Sequence, residues 1–433
     1  MERALLKEIL ADQMSYPIMG KYIERDVAIQ WIPKKATILT GVRRSGKSTL
    51  AETVVFRNPA SEPKLHVHFA DERLAAFSQN DFRDLLDAFY EMNNAKDLSK
   101  QTWFIFDEIQ MISGWELFIE RLIRDTNNRV TVTGSSARLL SKEIATEMRG
   151  RALSFEVFPL SFSEFLNLDG KTAQMTNAKA KITFSKALGS YLLQGGFPEL
   201  IHAPRELHKK ILQEYFESIV YRDIVERHEI TNVIATRALI HAIANQQAKF
   251  ISINKLFERM KSVGFKLQKQ FVSEILGHLE DAYSFFFVSL FTDSVQKQQV
   301  NPKKVYCIDT GLVTAIRAGI AQDSGRLLEG AVYIHLRRRG TRVFYYKTTK
   351  GLEVDFVFEE ENSKLCFIQV CWDISAPETM KRETEALVQA LKEHPRSRAL
   401  ILYNISSSTT FNELPKGIQA VPAWEYLCRS YSY

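Results

Sequence analysis

The sequence predicts an α/β protein, with a parallel sheet built on a phosphate loop at the amino end, a helical middle, and a second, smaller α/β unit at the carboxyl end. Three observations carry this reading. Short β-rich runs alternate with helical stretches through the first third, the pattern of a layered domain with a parallel sheet. The first run opens into a glycine-containing turn, Gly41–Ser48, inside which a helix begins. From about Leu166 long amphipathic helices take over, and a final α/β unit appears only after Gly311.

The strand candidates of the first third are Ala36–Thr40, Leu65–Ala70, Thr102–Phe106, Arg129–Thr133 and Ala152–Val157, which sets a core domain at 1–165. A helical lid follows over 166–230, with helices Ala178–Gln194 and Arg205–Arg227 separated by the turn Gly195-Gly196-Phe197-Pro198. Over 231–312 the order is helix Ile253–Val263, a break at Gly264, helix Gln268–Ala282 and the strand-like run Phe285–Phe291. In the second of these helices Val272, Ile275, Leu276 and Leu279 recur at helical spacing, so a small winged-helix unit fits the order. The last unit, 313–433, holds helix Arg326–Arg339, strands Val343–Tyr346, Glu353–Phe358 and Leu365–Cys371, helix Pro377–His394 and strand Ala399–Tyr403.

With 433 residues, 45% hydrophobic and 25% charged, the chain has the composition of a multi-domain globular protein. Its 57 basic against 51 acidic side chains leave +6, a mild excess that permits acidic partners without demanding them. The most apolar stretch, Tyr283–Phe291, is about half of the roughly 20 residues a membrane helix needs. Met1–Ala11 mixes charges with leucines, unlike a secretory signal, so a cytoplasmic location is expected. Cys307, Cys366, Cys371 and Cys428 form no C-x-x-C pair, which argues against a zinc knuckle or a disulfide framework.

The run Gly41-Val42-Arg43-Arg44-Ser45-Gly46-Lys47-Ser48, followed by Thr49, satisfies G-x-x-x-x-G-K-[ST] between an apolar strand and a helix. Such a loop turns backbone N–H groups toward an anionic phosphate at a helix amino terminus, where the helix dipole adds to the attraction. Lys47 is expected to reach the β- and γ-phosphates of ATP, and Ser48 to ligate Mg²⁺. Sixty residues on, the buried run Trp103-Phe104-Ile105-Phe106 ends in Asp107-Glu108. Two carboxylates at a strand's carboxyl end suit a cation and a water: Asp107 for Mg²⁺, Glu108 for polarising the attacking water. The next β-run opens into Gly134-Ser135-Ser136, so Thr133 or Ser135 is a candidate sensor of the γ-phosphate, with an ordinary turn as the competing reading. Arg149-Gly150-Arg151 leaves two guanidinium groups at a domain edge. Such an arginine enters a neighbouring subunit's nucleotide site or makes a surface salt bridge.

Together, Gly41–Ser48, Phe106-Asp107-Glu108-Ile109-Gln110, Thr133-Gly134-Ser135-Ser136, Gly150-Arg151 and Pro159-Leu160-Ser161-Phe162 resemble a family of prokaryotic AAA-type ATPases. The likeness continues through Gly195-Gly196-Phe197-Pro198, Asp309-Thr310-Gly311-Leu312, Leu328-Glu329 and Glu353-Val354-Asp355-Phe356, nearly the whole chain. It implies an AAA-like core, a winged helix and a terminal domain similar to PD-(D/E)xK nucleases, and it weights Arg151, with Arg149 in reserve, toward a role in trans in an oligomer such as a ring.

In nuclease-like folds of that kind a helix carboxylate, a strand aspartate and an (E/Q)-x-K pair hold a metal and position a water. Glu329, Asp355 and Gln369 fill three of the places, and Cys371 stands where lysine is needed. The expectation is a retained fold without cleavage, unless a lysine such as Lys347 or Lys364 is supplied from elsewhere. For DNA, Lys269, Gln270 and His278 on the second helix of the winged unit, with Lys266 just before it, are candidate groove or phosphate contacts. Two functions follow: an oligomeric, Mg²⁺-dependent ATPase that binds or remodels DNA, or a nucleotide-dependent switch that recruits a protein partner.

Overall fold

The computed structural model describes residues 1–15, 23–56, 62–93, 101–125, 128–134, 148, 150–168, 178–317, 323–360, 363–404 and 414–428. The chain forms two compact units, Met1–Phe158 and Pro159–Tyr433. It is an α/β protein.

In the first unit, strands β1 (Ala36–Thr40), β2 (Lys64–His68), β3 (Trp103–Asp107), β4 (Arg129–Thr133) and β5 (Ala152–Glu156) form a parallel sheet in the order β2-β3-β4-β1-β5. Every residue of β1 and of β3 is buried, as their unbroken apolar runs require of a sheet covered on both faces. Helices α1 (Arg3–Ser15), α2 (Lys47–Phe56), α3 (Phe82–Met92) and α4 (Trp115–Asp125) complete the layers. One core is aromatic, with Phe82 and Phe118 stacked at 4.0 Å between centroids; the other gathers Leu50, Ala51 and Val55 of α2 against Leu39, Ile105 and Val157. Helix α1 was not foreseen. Arg3 fastens it to α3 through Asp84, Asp87 and Glu91, and Gln13 bonds the backbone N–H of His68 at 2.9 Å. Because the strands are parallel, the residues that follow β1, β3 and β4 share one edge, with β4 lying between the other two.

The second unit opens with α5 (Phe162–Leu168), α6 (Ala178–Gln194) and α7 (Arg205–Ser218). The single helix expected over Arg205–Arg227 instead changes pitch at Ile219 and continues as a π-helix to Glu226, a distinction that apolar periodicity does not resolve. Next come α8 (Val233–Ala244), β6 (Phe250–Ile251), α9 (Ile253–Ser262), α10 (Lys269–Asp281), β7 (Phe285–Val288), α11 (Val295–Val300) and β8 (Lys303–Cys307). The three strands pair antiparallel as β6-β8-β7. Strand β7 stops at Val288, short of the expected Phe291, whose N–H instead bonds the carbonyl of Tyr345 at 2.8 Å. After α12 (Thr310–Ile316) and α13 (Ser324–Arg338), strands β9 (Phe344–Lys347), β10 (Glu353–Glu359), β11 (Leu365–Cys371), β12 (Arg398–Tyr403) and β13 (Ile418–Pro422) form a mixed sheet in the order β13-β12-β11-β10-β9, with α14 (Pro377–Glu393) and α15 (Ala423–Cys428). Strands β6, β8 and β13 were not foreseen.

The two glycine motifs of this unit meet. Asp309, buried, accepts hydrogen bonds from Gly196 N (2.7 Å) and Leu312 N (3.2 Å). A Cβ on Gly195 would stand 2.0 Å from the Asp309 carboxylate and one on Gly311 2.3 Å from the Gln194 carbonyl, so neither position admits a side chain. The end of α6 is thereby pinned to the start of α12.

Candidate functional site

The turn after β1 is shaped by three residues at positive φ: Gly41 (137°), Arg44 (65°) and Gly46 (92°). A Cβ on Gly41 would lie 2.2 Å from the Val157 carbonyl, so the close approach of β5 explains that glycine. Arg44 has no such exemption and carries strain of about 1–3 kcal/mol, which a loop held for recognition tolerates. Arg25 braces the turn, donating to the Ser45 carbonyl at 3.0 Å and to the Phe158 carbonyl at 2.5 Å. Lys47, buried, folds back over the loop and donates to the carbonyls of Gly41 (3.1 Å) and Val42 (2.9 Å). The Ser45 hydroxyl is buried with no hydrogen-bond partner among the described residues. Thr49 lies exposed on the first turn of α2.

Asp107 at the end of β3 is the hub of this edge. Its Oδ1 accepts from Ser48 Oγ at 3.0 Å and from Thr133 Oγ1, and its Oδ2 meets His68 Nδ1 at 2.9 Å. Burial opposes ionisation here, yet the bonds from His68, Thr133 and Ser48 outweigh it and hold the carboxyl below its ordinary range. Reciprocally, the bond to Asp107 lifts His68 above the usual imidazole range, against partial burial. Glu108 follows in the left-handed region at φ 54°, and its carboxylate accepts from Gln110 Nε2. Non-glycine residues held in that conformation concentrate at functional sites. For Mg²⁺, the neighbouring oxygens of Ser48 and Asp107 are a fitting donor pair, since this ion takes one or two protein oxygens plus phosphate and water. Reading the sequence alone missed His68; its only signal is the place it holds, at the end of the strand beside Asp107.

A second cluster lies in the carboxyl-terminal unit. Lys304 of β8, 3% exposed, donates to Glu329 Oε1 (2.9 Å), Glu353 Oε1 (2.6 Å) and Asp355 Oδ1 (2.8 Å). Tyr306, two residues along the same face of β8, donates to Glu329 Oε1 at 2.6 Å. Burial alone would discharge the ammonium, but Asp355, Tyr306, Glu329 and Glu353 together hold its pKa well above the ordinary lysine value. Glu329 is pushed up to about 7 by burial and by Asp355, with Lys304 opposing. Gln369 adjoins the cluster, accepting from Asp355 N at 3.3 Å and donating to Glu383 at 2.7 Å. Cys371 bonds the Asp373 carbonyl at 3.1 Å, and burial raises its thiol to about 11. The sequence-predicted Glu329, Asp355 and Gln369 are therefore together. The lysine that joins them comes from β8, whereas Lys347 and Lys364, the two foreseen, lie exposed. A divalent metal does not fit between Glu329 and Asp355, because the ammonium holds the oxygens that would ligate it.

Comparison with known proteins places the chain. An AAA domain model matches residues 33–166, and two models described as domains of unknown function, DUF8612 and DUF4143, match residues 185–324 and 324–426. The uncharacterized protein MJ1544 of Methanocaldococcus jannaschii is 34% identical over 98% of this chain and 95% of its own length. The chain belongs to the MJ1544 family. An uncharacterized protein of Haemophilus influenzae is 29% identical over 78% of this chain and 82% of its own. Among solved structures, a chain of Drosophila ORC bound to AT-rich DNA and Cdc6 aligns at 11% identity, over 72% of this chain and 91% of that one, with a TM-score of 0.21, too low to carry an argument.

This MJ1544-family protein thus has an AAA-type P-loop ATPase domain at its amino end, the domain type that binds nucleotide. No described helix is long and apolar enough to cross a membrane. Arg151 directly precedes β5, whose first residue pairs with the first residue of β1, so it stands at the sheet edge opposite Lys47 and Asp107. There it donates to Glu120 of α4 at 2.8 Å, so the structure does not bring it to its own chain's phosphate loop. Arg149 and Ser135 lie outside the described residues. On α10, Lys266 just before the helix and Lys269 within it are exposed, with Lys269 Nζ 5.6 Å from the Phe257 ring centre. Gln270 bonds Glu274 at 2.8 Å, and His278 is half-buried, stacked on His228 at 3.5 Å. Those two make weaker candidates for DNA contact than the lysines.

Proposed function

We propose that this protein is a Mg²⁺-dependent ATP hydrolase that uses nucleotide turnover to bind or remodel DNA as an oligomer. The observation that carries the ATPase half is the convergence on Asp107 of Ser48, Thr133 and His68 at the edge bearing Lys47 and Glu108. Phosphate displaces the loop carbonyls as the partner of Lys47, while Gly41, Val42, Arg43, Arg44, Ser45, Gly46 and Thr49 wrap it with backbone and hydroxyl donors. Ser48, and Asp107 through a water shell, would hold Mg²⁺, which would supply charge neutralisation at the phosphates. Glu108 orients and polarises the attacking water, Thr133 touches the γ-phosphate side, and Arg151 of a neighbouring copy completes the site.

For the DNA half, the order α8-β6-α9-α10-β7-β8 supports a winged-helix unit over 231–312, after a core at 1–165 and a lid at 166–230. Lys266 and Lys269 on its exposed side supply phosphate contacts. For the terminal unit, 313–433, the mixed sheet with α14 supports the reading of a nuclease-like domain, with Lys304 in its cation position, that serves structure or DNA contact. The deciding experiment compares ATP turnover with and without duplex, single-stranded and four-way-junction DNA, alongside particle images for rings. Stimulation by DNA is expected. Slow turnover indifferent to all three would replace this reading by a nucleotide-dependent switch acting on a protein partner.

A further inference from the structure

The carboxyl-terminal unit contains a half-open cleft of about 500 Å³ between α6, α7, α12 and the start of α13. On α7 the lining positions are 205, 208, 209 and 212, spaced i, i+3, i+4 and i+7, so Arg205, His208 and Lys209 form one stripe on the helix's first two turns above the buried Leu212. Arg317 lines the cleft from beyond the end of α12. It donates from Nη2 to the Asn245 carbonyl at 3.1 Å, and its buried Nε has no partner among the described residues. Burial, then Arg326, make its charge costly, with Asp323 opposing. Three cations and one imidazole therefore line the cleft, no carboxylate does among the described residues, and the amino end of the α7 dipole adds to their field.

The walls are fastened in place. Asp309 pins the end of α6 to the start of α12, Thr314 Oγ1 donates to the Leu193 carbonyl at 2.7 Å, and Gln213 donates to the Ala315 carbonyl at 3.0 Å. The glycines of the two motifs thus have a consequence beyond packing: they let four helices close around a preformed space. Pre-formed clefts of a few hundred Å³ with an apolar floor and a few convergent charges are the usual form of a small-molecule site. Leu212 and Val313 give this one its floor.

We propose that the cleft binds a small phosphate ester of about mononucleotide size, its phosphates held by Arg205, Lys209 and Arg317 and its apolar part on the Leu212–Val313 floor. This site is separate from the phosphate loop and stands whether or not the protein acts on DNA. The test counts pyrophosphate sites on the full chain by calorimetric titration at low salt. Two sites per chain are expected. Arg205→Gln/Lys209→Gln, both exposed and so compatible with folding, should leave one, as should Arg317→Gln; Lys47→Ala should leave the other, and the combination none. Weakening in the cleft variants should be at least ten-fold, with an unchanged unfolding midpoint for Arg205→Gln/Lys209→Gln. A site count that the cleft variants do not alter overturns the proposal, as does competition for the cleft by a 5′-phosphorylated oligonucleotide but not by ADP. Failure of the phosphate-loop reading would show differently, as a count insensitive to Lys47→Ala.

Discussion

His68 and Asp107 stand opposite each other on adjacent parallel strands, and imidazole Nδ1 meets carboxylate Oδ2 at 2.9 Å. That leaves neither carboxylate oxygen idle, since Ser48 and Thr133 bond the other. A protonated imidazole here would compete with a divalent ion bound at Asp107 for the same negative charge. Because His68 is raised by its bond to Asp107, the competition extends above the ordinary imidazole pKa.

The Mg²⁺ concentration for half-maximal ATP turnover should therefore fall as pH rises from about 6 to 8.5, and His68→Ala should flatten that dependence. Stability runs the other way. A histidine raised in the folded state stabilises fully below its unfolded pKa and loses that contribution as pH rises through the folded value. Magnesium titrations at several pH values check the first statement, and unfolding midpoints check the second. A wild-type Mg²⁺ requirement that does not change with pH would remove His68 from the site.

Lys47→Ala should abolish nucleotide binding, whereas Glu108→Gln should leave ATP bound and slow hydrolysis by about 10²–10³-fold or more. The first change removes the charge that meets phosphate; the second keeps the size of the side chain and removes only its basicity. Equilibrium binding of a fluorescent ATP analogue beside single-turnover hydrolysis separates them. Equal loss of affinity in both would contradict the division of roles.

Arg151 stands at the far edge of its own sheet, so any catalytic contact it makes is with another copy. Arg151→Ala and Lys47→Ala proteins, each inactive alone, should recover part of the turnover when mixed, because one interface then pairs an intact loop with an intact arginine. No recovery at any ratio, with a monomer by light scattering, would leave Arg151 as the salt-bridge partner of Glu120 only.

The phosphate loop and the Asp107-Glu108 pair were legible because their chemistry is contiguous in sequence: glycine, lysine and hydroxyl at fixed spacing, then carboxylates ending an apolar strand. His68 was not, because a single histidine on a β-run reads equally well as packing until the strand order is known. Lys304 was missed for a different reason. Lys303-Lys304 looks like a charged turn, and only the pairing of β8 between β6 and β7 turns Lys304 and Tyr306 inward. The cluster also joins residues from both regions matched by domains of unknown function, Lys304 from the first and Glu329 and Asp355 from the second, so in this chain they share one buried ionic centre. The π-helix at Ile219 left no periodic signal distinct from an α-helix.

Asp309 offers a clean pH signature. Burial lifts its carboxyl to about 6 despite the N–H groups of Gly196 and Leu312. A carboxyl raised in the folded state binds its proton more readily there than in the unfolded chain, so its contribution to stability falls as pH rises from about 4 to 6 and is flat above. The difference in unfolding midpoint, wild type minus Asp309→Asn, should grow in favour of wild type as pH drops from 7 to 4.5. A constant difference would mean that the carboxyl titrates alike in both states.

The terminal unit should not cut DNA, and the reason is the position of Lys304. In a metal-dependent nuclease the two carboxylates share a divalent ion and a lysine sits at the phosphate, open to substrate. Here the lysine is present but lies between the carboxylates, 3% exposed, with Tyr306 fully buried beside it. A phosphodiester has no route to an ammonium so enclosed, and a metal would have to expel a charge that three carboxylates hold at 2.6–2.9 Å. Removing Lys304 should then expose the cost of the arrangement. Lys304→Met leaves Glu329, Glu353 and Asp355 facing one another without a counter-charge, and breaking such a buried set costs about 3–5 kcal/mol. Part of that loss should be recovered in Lys304→Met/Glu329→Gln, which removes one of the opposed charges, and part by millimolar Mn²⁺ or Mg²⁺ added to Lys304→Met, since the metal now finds the position open. Wild-type protein should show neither metal-dependent stabilisation through this site nor cleavage of plasmid or junction DNA. Metal-dependent cleavage by wild-type protein that disappears in Asp355→Ala would show that Lys304 leaves the cluster in solution and that the site is a working nuclease after all.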